Sequence, residues 1–306
     1  STGYSSSTVN SASINNKGVE AILNVIPVQS RDFTWDVSAS FSLLRSEVIS
    51  IADGIDQIYV GGYVGRGNIA IPGLPYGILE GEVIRRDYGS LDGTDHTQVH
   101  WDDRTNYTPI VNANGGYQFL GYGVIGNPQP DFVYGVTNTL SYKWATLRVQ
   151  FDSQVGGDVF STTNSTLLGR GILQETDFDR FVPVVTKGLS ADGTPNTTQT
   201  TANAHYWPNT GVFYDENSIY DASVMRLREV SLSFVAPKSF LNGTPFGNAS
   251  LTLSAQNIWH YAWNTPSGTN FDPEVISYGA GSNARGFDEM TGPTAKKYGA
   301  TLSLTF

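Results

Sequence analysis

The residues best suited to metal chemistry lie in one acidic stretch, residues 90–103. His96 and His100 stand four residues apart, which is metal-ligand spacing on a helix, but no helical apolar pattern supports a helix here. Its carboxylates could hold a calcium ion, although the ordered spacing of an EF-hand loop is missing. These carboxylates are Asp92, Asp95, Asp102 and Asp103. A solvated acidic loop is the simpler interpretation, so we predict no metal and no other cofactor, with calcium as the alternative.

Motifs for catalysis are missing from the sequence. There is no Gly-x-Ser-x-Gly elbow, and the glycine-rich run "GGYVGRGN" lacks the Lys-Ser/Thr ending of a phosphate-binding loop. The adjacent Asp102 and Asp103 do not form the two separated carboxylates that a glycosidase needs across a cleft. With no cysteine, thiolate chemistry is also excluded. We therefore predict no catalytic residues and no enzymatic activity.

Aromatic side chains in the less regular segments are better candidates for binding. Sugar rings stack on aromatic faces, and nearby Asp, Asn and Gln side chains can bond to sugar hydroxyls. The predicted ligand-binding residues are Tyr59, Tyr63, Trp101, Tyr107, Trp207 and Tyr214. The alternative is that these aromatics pack the loops against one another or against a partner.

Composition indicates an all-β protein and excludes one class of partner. Aromatic residues make up 12% of the 306 residues, and charged residues only 15%. Glycine is abundant, and Ser, Thr and Asn are common, as in strands joined by turns. The net charge of −10 argues against a nucleic-acid partner, which requires a basic surface. No stretch approaches the ~18 consecutive apolar residues of a transmembrane helix.

Several segments alternate between apolar and polar residues, which predicts strands with two different faces. The clearest are residues 33–43, 134–142, 147–154 and 298–306. Their polar positions hold mostly Ser and Thr, whereas exposed strands of soluble proteins usually carry Lys and Glu. Aromatic residues stand near strand ends, as in the girdles of outer-membrane barrels. We predict a transmembrane antiparallel β-barrel; the alternative is a secreted β-sandwich adhesin or glycan-binding module.

The lengths of the gaps between these strands also alternate. Short gaps separate the members of each strand pair, and long ones cover about 49–132, 157–224 and 260–297. Outer-membrane barrels show this alternation, with tight periplasmic turns and long extracellular loops. Seven spanning strands result, an odd number, so we predict that residues 1–306 form the C-terminal part of one larger barrel domain. Additional hairpins near residues 57–64 and 76–84 would change that count.

Seven segments resemble motifs of the SusC-like, or RagA-like, TonB-dependent transporters of Bacteroidetes outer membranes, and they follow that family's order. They are residues 15–23, 126–143, 156–160, 219–240, 253–259, 271–275 and 292–306. The resemblance implies a 22-stranded barrel whose N-terminal plug is not part of this sequence. It also implies outer-membrane import of an oligomeric nutrient, usually a glycan and less often a peptide. The implied partners are a SusD-like lipoprotein lid, the TonB complex through the missing N-terminal part, the lipid bilayer and the rest of the barrel.

The resemblance also implies a role in barrel assembly for the last predicted strand. Tyr298, Leu302, Leu304 and Phe306 share one parity, and the sequence ends on an aromatic residue. An apolar edge strand can pair with the open edge of the barrel-assembly machinery, so we predict that these four residues form an assembly signal. The alternative is that Phe306 is only a lipid-facing girdle residue.

Overall fold

The fold was analysed in a computed structural model, which describes residues 11–63, 65–88, 100–209, 215–266, 268–269, 271–274 and 283–306. Three α-helices are present in these residues: α1 (Thr162–Gly169), α2 (Ala202–Asn209) and α3 (Lys238–Leu241). Within the same ranges, no helix is both long and apolar enough to cross a membrane. The eighteen strands are β1 (Ala12–Gln29), β2 (Phe33–Ile51), β3 (Ile58–Tyr63), β4 (Arg66–Ala70), β5 (Ile78–Ile84), β6 (Arg86–Asp87), β7 (Thr108–Pro109), β8 (Phe119–Gly126), β9 (Phe132–Tyr142), β10 (Ala145–Val155), β11 (Asp158–Ser161), β12 (Val184–Val185), β13 (Gln199–Thr200), β14 (Ile219–Asp221), β15 (Val224–Val235), β16 (Asn248–Tyr261), β17 (Phe287–Asp288) and β18 (Lys297–Thr305).

Seven long strands form one antiparallel sheet in the order β1-β2-β9-β10-β15-β16-β18. They are the seven strands that the alternation predicts, and the all-β fold class is confirmed. β1 and β18 are the two edges of the sheet, so the sheet is an open wall and not a closed barrel. The hairpins near residues 57–64 and 76–84 form β3, β4 and β5, which belong to a separate sheet and leave the count of long strands at seven.

The register of the sheet keeps its two faces distinct. One row of paired residues crosses five strands and is entirely apolar: Trp35, Leu140, Leu147, Leu232 and Leu253. The row one residue away crosses the same strands and is polar: Asp36, Thr139, Arg148, Ser231 and Ser254. Because side chains alternate with period two, matched registers extend each pattern across the sheet. We call the two sides the apolar face and the polar face.

Asn138 is the one discord in the alternation of β9, and the structure explains it. Its side-chain oxygen accepts a hydrogen bond from Trp35 Nε1 at 3.2 Å. Trp35 lies on the neighbouring strand β2, where it pairs with Leu140. The indole N–H on an apolar surface requires an acceptor, and Asn138 supplies it.

Among the described residues, no second sheet covers the apolar face as a β-sandwich requires. Phe41, Leu251, Leu253 and Leu304 are 36%, 39%, 45% and 40% exposed. In a sandwich, the inner faces of the two sheets interdigitate and form a dry core. The exposed apolar face therefore contradicts the sandwich alternative and fits a wall that faces hydrocarbon.

The connections differ in length at the two ends of the sheet. The short connections are residues 30–32, 143–144 and 236–247. The long connections are residues 52–131, 156–223 and 262–296. Since the strands are antiparallel, all short connections lie at one end and all long connections at the other.

The described residues of the long connections pack into a second unit, which we call the loop layer. It contains a four-stranded sheet, β3-β4-β5-β8, and a three-stranded sheet, β14-β11-β17. The two-stranded pairs β12-β13 and β6-β7 complete it. Its main core cluster consists of Leu79, Val83, Ile125, Phe160 and Phe287, each no more than 4% exposed. The dry interior of the described molecule thus lies in the loop layer and not in the long-stranded sheet.

Candidate functional site

A network of charged side chains joins the polar face to the loop layer. Arg226 on β15 is only 5% exposed. Its Nε and Nη2 donate to Asp272 Oδ1 at 3.0 and 2.7 Å, and its Nη1 donates to Asp152 Oδ2 at 3.3 Å. A buried guanidinium needs such partners, because an unpaired charge in a dry site is costly. The network therefore fixes residue 272 of the last long connection against β10 and β15.

Arg228 extends the network with two bidentate pairs. It holds both oxygens of Asp152, with Nε to Oδ1 at 2.6 Å and Nη2 to Oδ2 at 2.9 Å. It also holds both oxygens of Glu274, at 2.9 and 3.0 Å. Paired N–H···O bonds of this kind fix geometry as well as charge. The described part of the last long connection is thereby anchored to the sheet at two acidic residues, Asp272 and Glu274.

A bulge in β15 orients these arginines. The pairing of β15 shifts register between Leu227 and Glu229, both against β10 and against β16. Arg228 lies at the shift, and the facing Asn257 adopts a positive φ of 54° and accepts a 3.4 Å bond from Arg228 Nη1. A bulge inserts one residue and re-aims the side chains that follow. Strict alternation from Val230 would put Arg228 on the apolar face, and the bulge prevents this.

Asp272 is the most buried carboxylate of the network, at 4% exposed. Burial alone would raise the pKa of this carboxyl, but hydrogen bonding and charge from Arg226 outweigh burial and hold the pKa below its usual value. Thr294 Oγ1 donates to its other oxygen at 2.9 Å. Asp272 is therefore ionised at neutral pH and ties residues 272 and 294 to the same strand.

Beside the network, the polar face borders a cavity of about 440 Å³. Its lining includes Glu20, Ser40, Asp152, Gln154, Arg226 and Glu274. Carboxylate, hydroxyl, amide and guanidinium groups can hydrogen-bond a polar ligand or a polar polypeptide segment. The arrangement is suited to binding and positioning, since Asp152, Arg226 and Glu274 are already held in ion pairs.

The three long connections are tied together by bonds between distant residues. Asn68, fully buried, donates to Arg285 O at 3.1 Å and accepts from Arg285 N at 2.8 Å. Ser161 Oγ donates to Asp288 Oδ2 at 2.7 Å. Asp215 Oδ2 accepts from the backbone N–H of Glu82 at 3.0 Å. Each long connection therefore contributes to one common unit.

Asp158 at the start of β11 is the described acid with the clearest titration near neutrality. Burial raises the pKa of Asp158 to about 6, although the Asn127 N–H that donates to its carboxylate at 2.7 Å acts to lower it. The negative charges of Asp102, Asp221 and Asp131 raise it further. Asp158 joins β11 to the segment that leads into β9.

The predicted ligand-binding aromatics lie in different parts of the loop layer. Tyr59 on β3 lies over Gly67, where a Cβ would collide with its hydroxyl. The Trp101 ring stacks on His100 with 3.7 Å between centroids, and Tyr107 packs edge-on against Tyr88 at 5.0 Å. Tyr63 ends β3, and Tyr214 lies outside the described residues.

Trp207 on α2 lies under the Arg170 guanidinium, 5.2 Å from the ring centroid to Cζ. Tyr59, Trp101, Tyr107 and Trp207 thus each contact a different neighbour in the loop layer. Cargo binding by these residues stays a prediction.

The acidic stretch is only partly described. Asp92 and Asp95 lie outside the described residues, as does His96. Asp102 and Asp103 are exposed in a short 3₁₀ helix, Trp101–Asn106, and His100 Nδ1 accepts from the Asp102 backbone N–H at 3.4 Å. Within the ranges that the structure covers, no group of three or more His, Cys, Asp or Glu residues has metal-binding geometry. Calcium binding stays an untested alternative.

The last strand presents its predicted signal residues on the exposed edge of the sheet. Tyr298, Leu302 and Phe306 are 75%, 65% and 85% exposed. The Phe306 ring packs against Phe246 of a short connection with 5.1 Å between centroids. An exposed edge with free pairing groups is suited to accept another strand, and recognition by assembly machinery stays a prediction.

Sequence reasoning missed Arg226, Arg228, Asp272 and Glu274 as a functional group. Both arginines lie inside one of the segments that carry the family resemblance, and both acids lie in another. Their partnership spans 46 residues of chain, so no local pattern reveals it. The available signal was a pair of arginines, two residues apart, in a strand whose one other charged residue is Glu229.

Comparison with known proteins gives a consistent result. No family model matches the chain. TonB-dependent receptor P3 of Formosa agariphila is 26% identical over 332 residues, covering 99% of this chain and 30% of that protein. TonB-dependent receptor SusC of Bacteroides thetaiotaomicron is 23% identical over 240 residues, covering 74% of this chain and 21% of that protein. The chain spans about 30% of the length of the first of these relatives.

Solved structures agree on the fold. The structure of the RagAB peptide importer in its closed-closed state matches 97% of this chain and 30% of its own chain, with a TM-score of 0.63 and 18% identity. The structure of the RagAB peptide transporter matches with a TM-score of 0.61 and 19% identity. The predicted resemblance to SusC-like TonB-dependent transporters is thus confirmed, and the long-stranded sheet corresponds to part of such a barrel.

Proposed function

We propose, from this similarity to TonB-dependent receptors, that the chain forms barrel wall and extracellular loops of an outer-membrane importer. The observation that carries the proposal is the pairing of an exposed apolar face with a folded loop layer at one end of the sheet. The first belongs against hydrocarbon, and the second belongs in water outside the membrane. The three long connections are then the extracellular loops, and the chain is the C-terminal part of a barrel with a separate plug.

The remaining partners of the importer follow from the same similarity. The edges β1 and β18 pair with the rest of the barrel, because unpaired backbone groups are not tolerated in lipid. The TonB complex acts through a part of the protein that this chain does not contain. A SusD-like lipoprotein covers the loop layer, and no nucleic acid takes part. The chain itself has no catalytic role, in keeping with relatives named as receptors.

The proposed cargo is an oligomeric glycan. Exposed or half-buried aromatics near polar side chains in the loop layer, such as Tyr59 and Trp101, support it. A peptide is the second candidate, because the matching solved structures are titled as a peptide importer and transporter.

The test is uptake by cells that carry or lack the natural gene. The gene deletion should abolish uptake of one oligosaccharide class, and restoring the gene should rescue uptake only while the proton-motive force is intact. Selective loss of oligopeptide uptake would replace the glycan with the peptide. A gene product found in the soluble fraction without detergent would overturn the importer itself.

A further inference from the structure

A hydrophobic groove lies at the end of the sheet that carries the short connections. α3 and the residues around it border the apolar face, and a groove of about 310 Å³ lies between them. It is lined chiefly by Trp144, Phe234, Pro237, Phe240, Leu251 and Leu302. Its exposed lining is almost entirely carbon, so water gains few hydrogen bonds there.

The register of the sheet brings several residues of the groove side by side. Tyr142, Ala145, Phe234, Leu251 and Leu302 form one lateral row on the apolar face. Phe234, Leu251 and Leu302 of this row line the groove, together with the small side chains of Ala236 and Ala249. Trp144 packs on Phe234 with 5.7 Å between ring centroids, and Phe240 stands 77% exposed on the other side. The groove is thus lined by large rings together with small and aliphatic side chains, and this apolar lining suits an acyl chain.

Charge distinguishes this end of the sheet from the other. The short connections carry three basic residues, Arg31, Lys143 and Lys238, and one acidic residue, Asp32. The long connections carry 22 acidic and nine basic residues. Lys143 Nζ lies 5.2 Å from the Tyr142 ring centroid, one strand away from the groove. Only the groove end therefore complements an anionic group.

We propose that this groove binds an acyl chain of an anionic phospholipid, with Lys143 and Lys238 holding the lipid phosphate. The proposal rests on the membrane location given under the proposed function. An apolar groove at the basic end of the sheet matches the two parts of a phospholipid, and basic residues at a membrane surface attract anionic lipids. A bound lipid would fill the space between α3 and the sheet and fix the short connections.

The experiment uses the natural gene product, purified from the outer membrane in mild detergent. Native mass spectrometry measures binding of added phosphatidylglycerol and of phosphatidylcholine with the same acyl chains. The wild-type protein should bind phosphatidylglycerol more tightly. The double variant Lys143→Gln and Lys238→Gln should lose roughly tenfold to thirtyfold in phosphatidylglycerol affinity, at about 1 kcal/mol for each lysine near the surface. Its affinity for phosphatidylcholine should not change.

The variant Phe240→Ser should weaken binding of both lipids, because it removes one wall of the groove. Tyr261→Ser is the matched control, a 58% exposed aromatic at the opposite end of the same face, and it should change neither affinity. Equal wild-type affinity for both lipids, or an unaffected lysine double variant, would overturn the proposal even if Phe240→Ser failed to assemble.

Heat-modifiable migration in gels reports barrel assembly independently of lipid. A protein that is assembled but shows no lipid preference contradicts only the lipid site. A protein absent from the outer-membrane fraction contradicts the proposed function.

Discussion

The long-stranded sheet and the loop layer differ in where they place their apolar side chains. Among the described residues, the sheet's apolar side chains stay partly exposed, and only Val48 and Val224, both near the loop end, are fully buried. The loop layer holds Phe160 and Phe287 at 0% exposure with buried charged pairs around them. The sheet is built for a hydrocarbon solvent, and the loop layer folds as water-soluble proteins do.

Because of this difference, the burial of a side chain within the chain indicates how much its removal would destabilise the protein in the loop layer, but not in the sheet. In the loop layer a large side chain stabilises by contacts with other residues, so its removal leaves a cavity. In the sheet, an equally large side chain contacts lipid in the proposed setting, so its removal changes little within the protein. Three substitutions and one deletion test this difference, in order of decreasing expected effect.

Phe160→Ala should produce the largest loss, about 3–5 kcal/mol in the stability of the loop layer. The ring packs 5.7 Å from Phe287 and lies under the Arg66 guanidinium at 5.1 Å, so its removal opens a cavity in the dry core. Hydrogen exchange of the assembled natural protein would measure the loss. Phe41→Ala, at an exposed position of the sheet, is the control and should leave exchange in the loop layer unchanged. Equal effects of the two substitutions would remove the distinction between the regions.

Leu253→Arg should cost about 2–4 kcal/mol of barrel stability, because it puts a charge on the face proposed to contact the bilayer core. Thr252→Arg, one residue away on the polar face, should cost much less. Equilibrium unfolding from phospholipid vesicles measures both. If Thr252→Arg were as damaging as Leu253→Arg, the assignment of the two faces would be wrong.

Asp158→Asn should remove a pH dependence of roughly 2–3 kcal/mol from the loop layer. The folded pKa of Asp158, about 6, lies above its ordinary value of 3.8. The stability contributed by the protonated form is therefore full below pH 3.8 and is lost as the pH rises through 6. Protease resistance of the loop layer should fall between pH 4 and 7 in the wild type and much less in the variant.

Asp192→Asn is the control for that titration. Asp192 is an exposed carboxylate whose pKa is lowered by hydrogen bonds from Thr194, so its titration has the opposite sign. The wild-type fall in protease resistance should persist in this variant. An Asp158→Asn protein that kept the full pH dependence would assign the effect to another group.

Deletion of Phe306 should have the smallest effect on the folded state, about 1 kcal/mol from the lost ring contact with Phe246. We nevertheless expect less assembled protein in the membrane, because the predicted assembly signal is removed. Phe246→Ala removes the same ring contact but keeps Phe306, and it should assemble normally. Heat-resistant barrel levels in outer membranes measure both, and unchanged levels after the deletion would rule out the signal.

The long strands of the sheet could be predicted from the sequence, whereas the contacts between distant residues could not. The seven long strands were predictable because each alternates between two environments, and alternation needs no knowledge of distant residues. The bulge at Arg228 and the acceptor role of Asn138 were not, since both depend on what the neighbouring strand presents. The loop-layer core was also hidden, because Phe160 and Phe287 meet across 127 residues of chain.

For the candidate site, the sequence identified residue types but not the contacts between them. The aromatic residues were identifiable by type, but their neighbours in the loop layer, such as Tyr88 for Tyr107, were not. The charged network depends on the bulge in β15 and on the last long connection, which brings Asp272 and Glu274 back to that strand. Neither feature leaves a local pattern in the sequence.

The bonds between Asn68 and Arg285 join residues 217 positions apart. That contact forms only after residue 285 has reached Asn68, because the two residues are far apart in the chain. The bond from the Glu82 N–H to Asp215 joins the first two long connections directly, but their tie to the third connection waits for residue 285. The loop layer is therefore completed only after residue 285 arrives, and a chain that stops before residue 285 would lack both this tie and the edge strand β18.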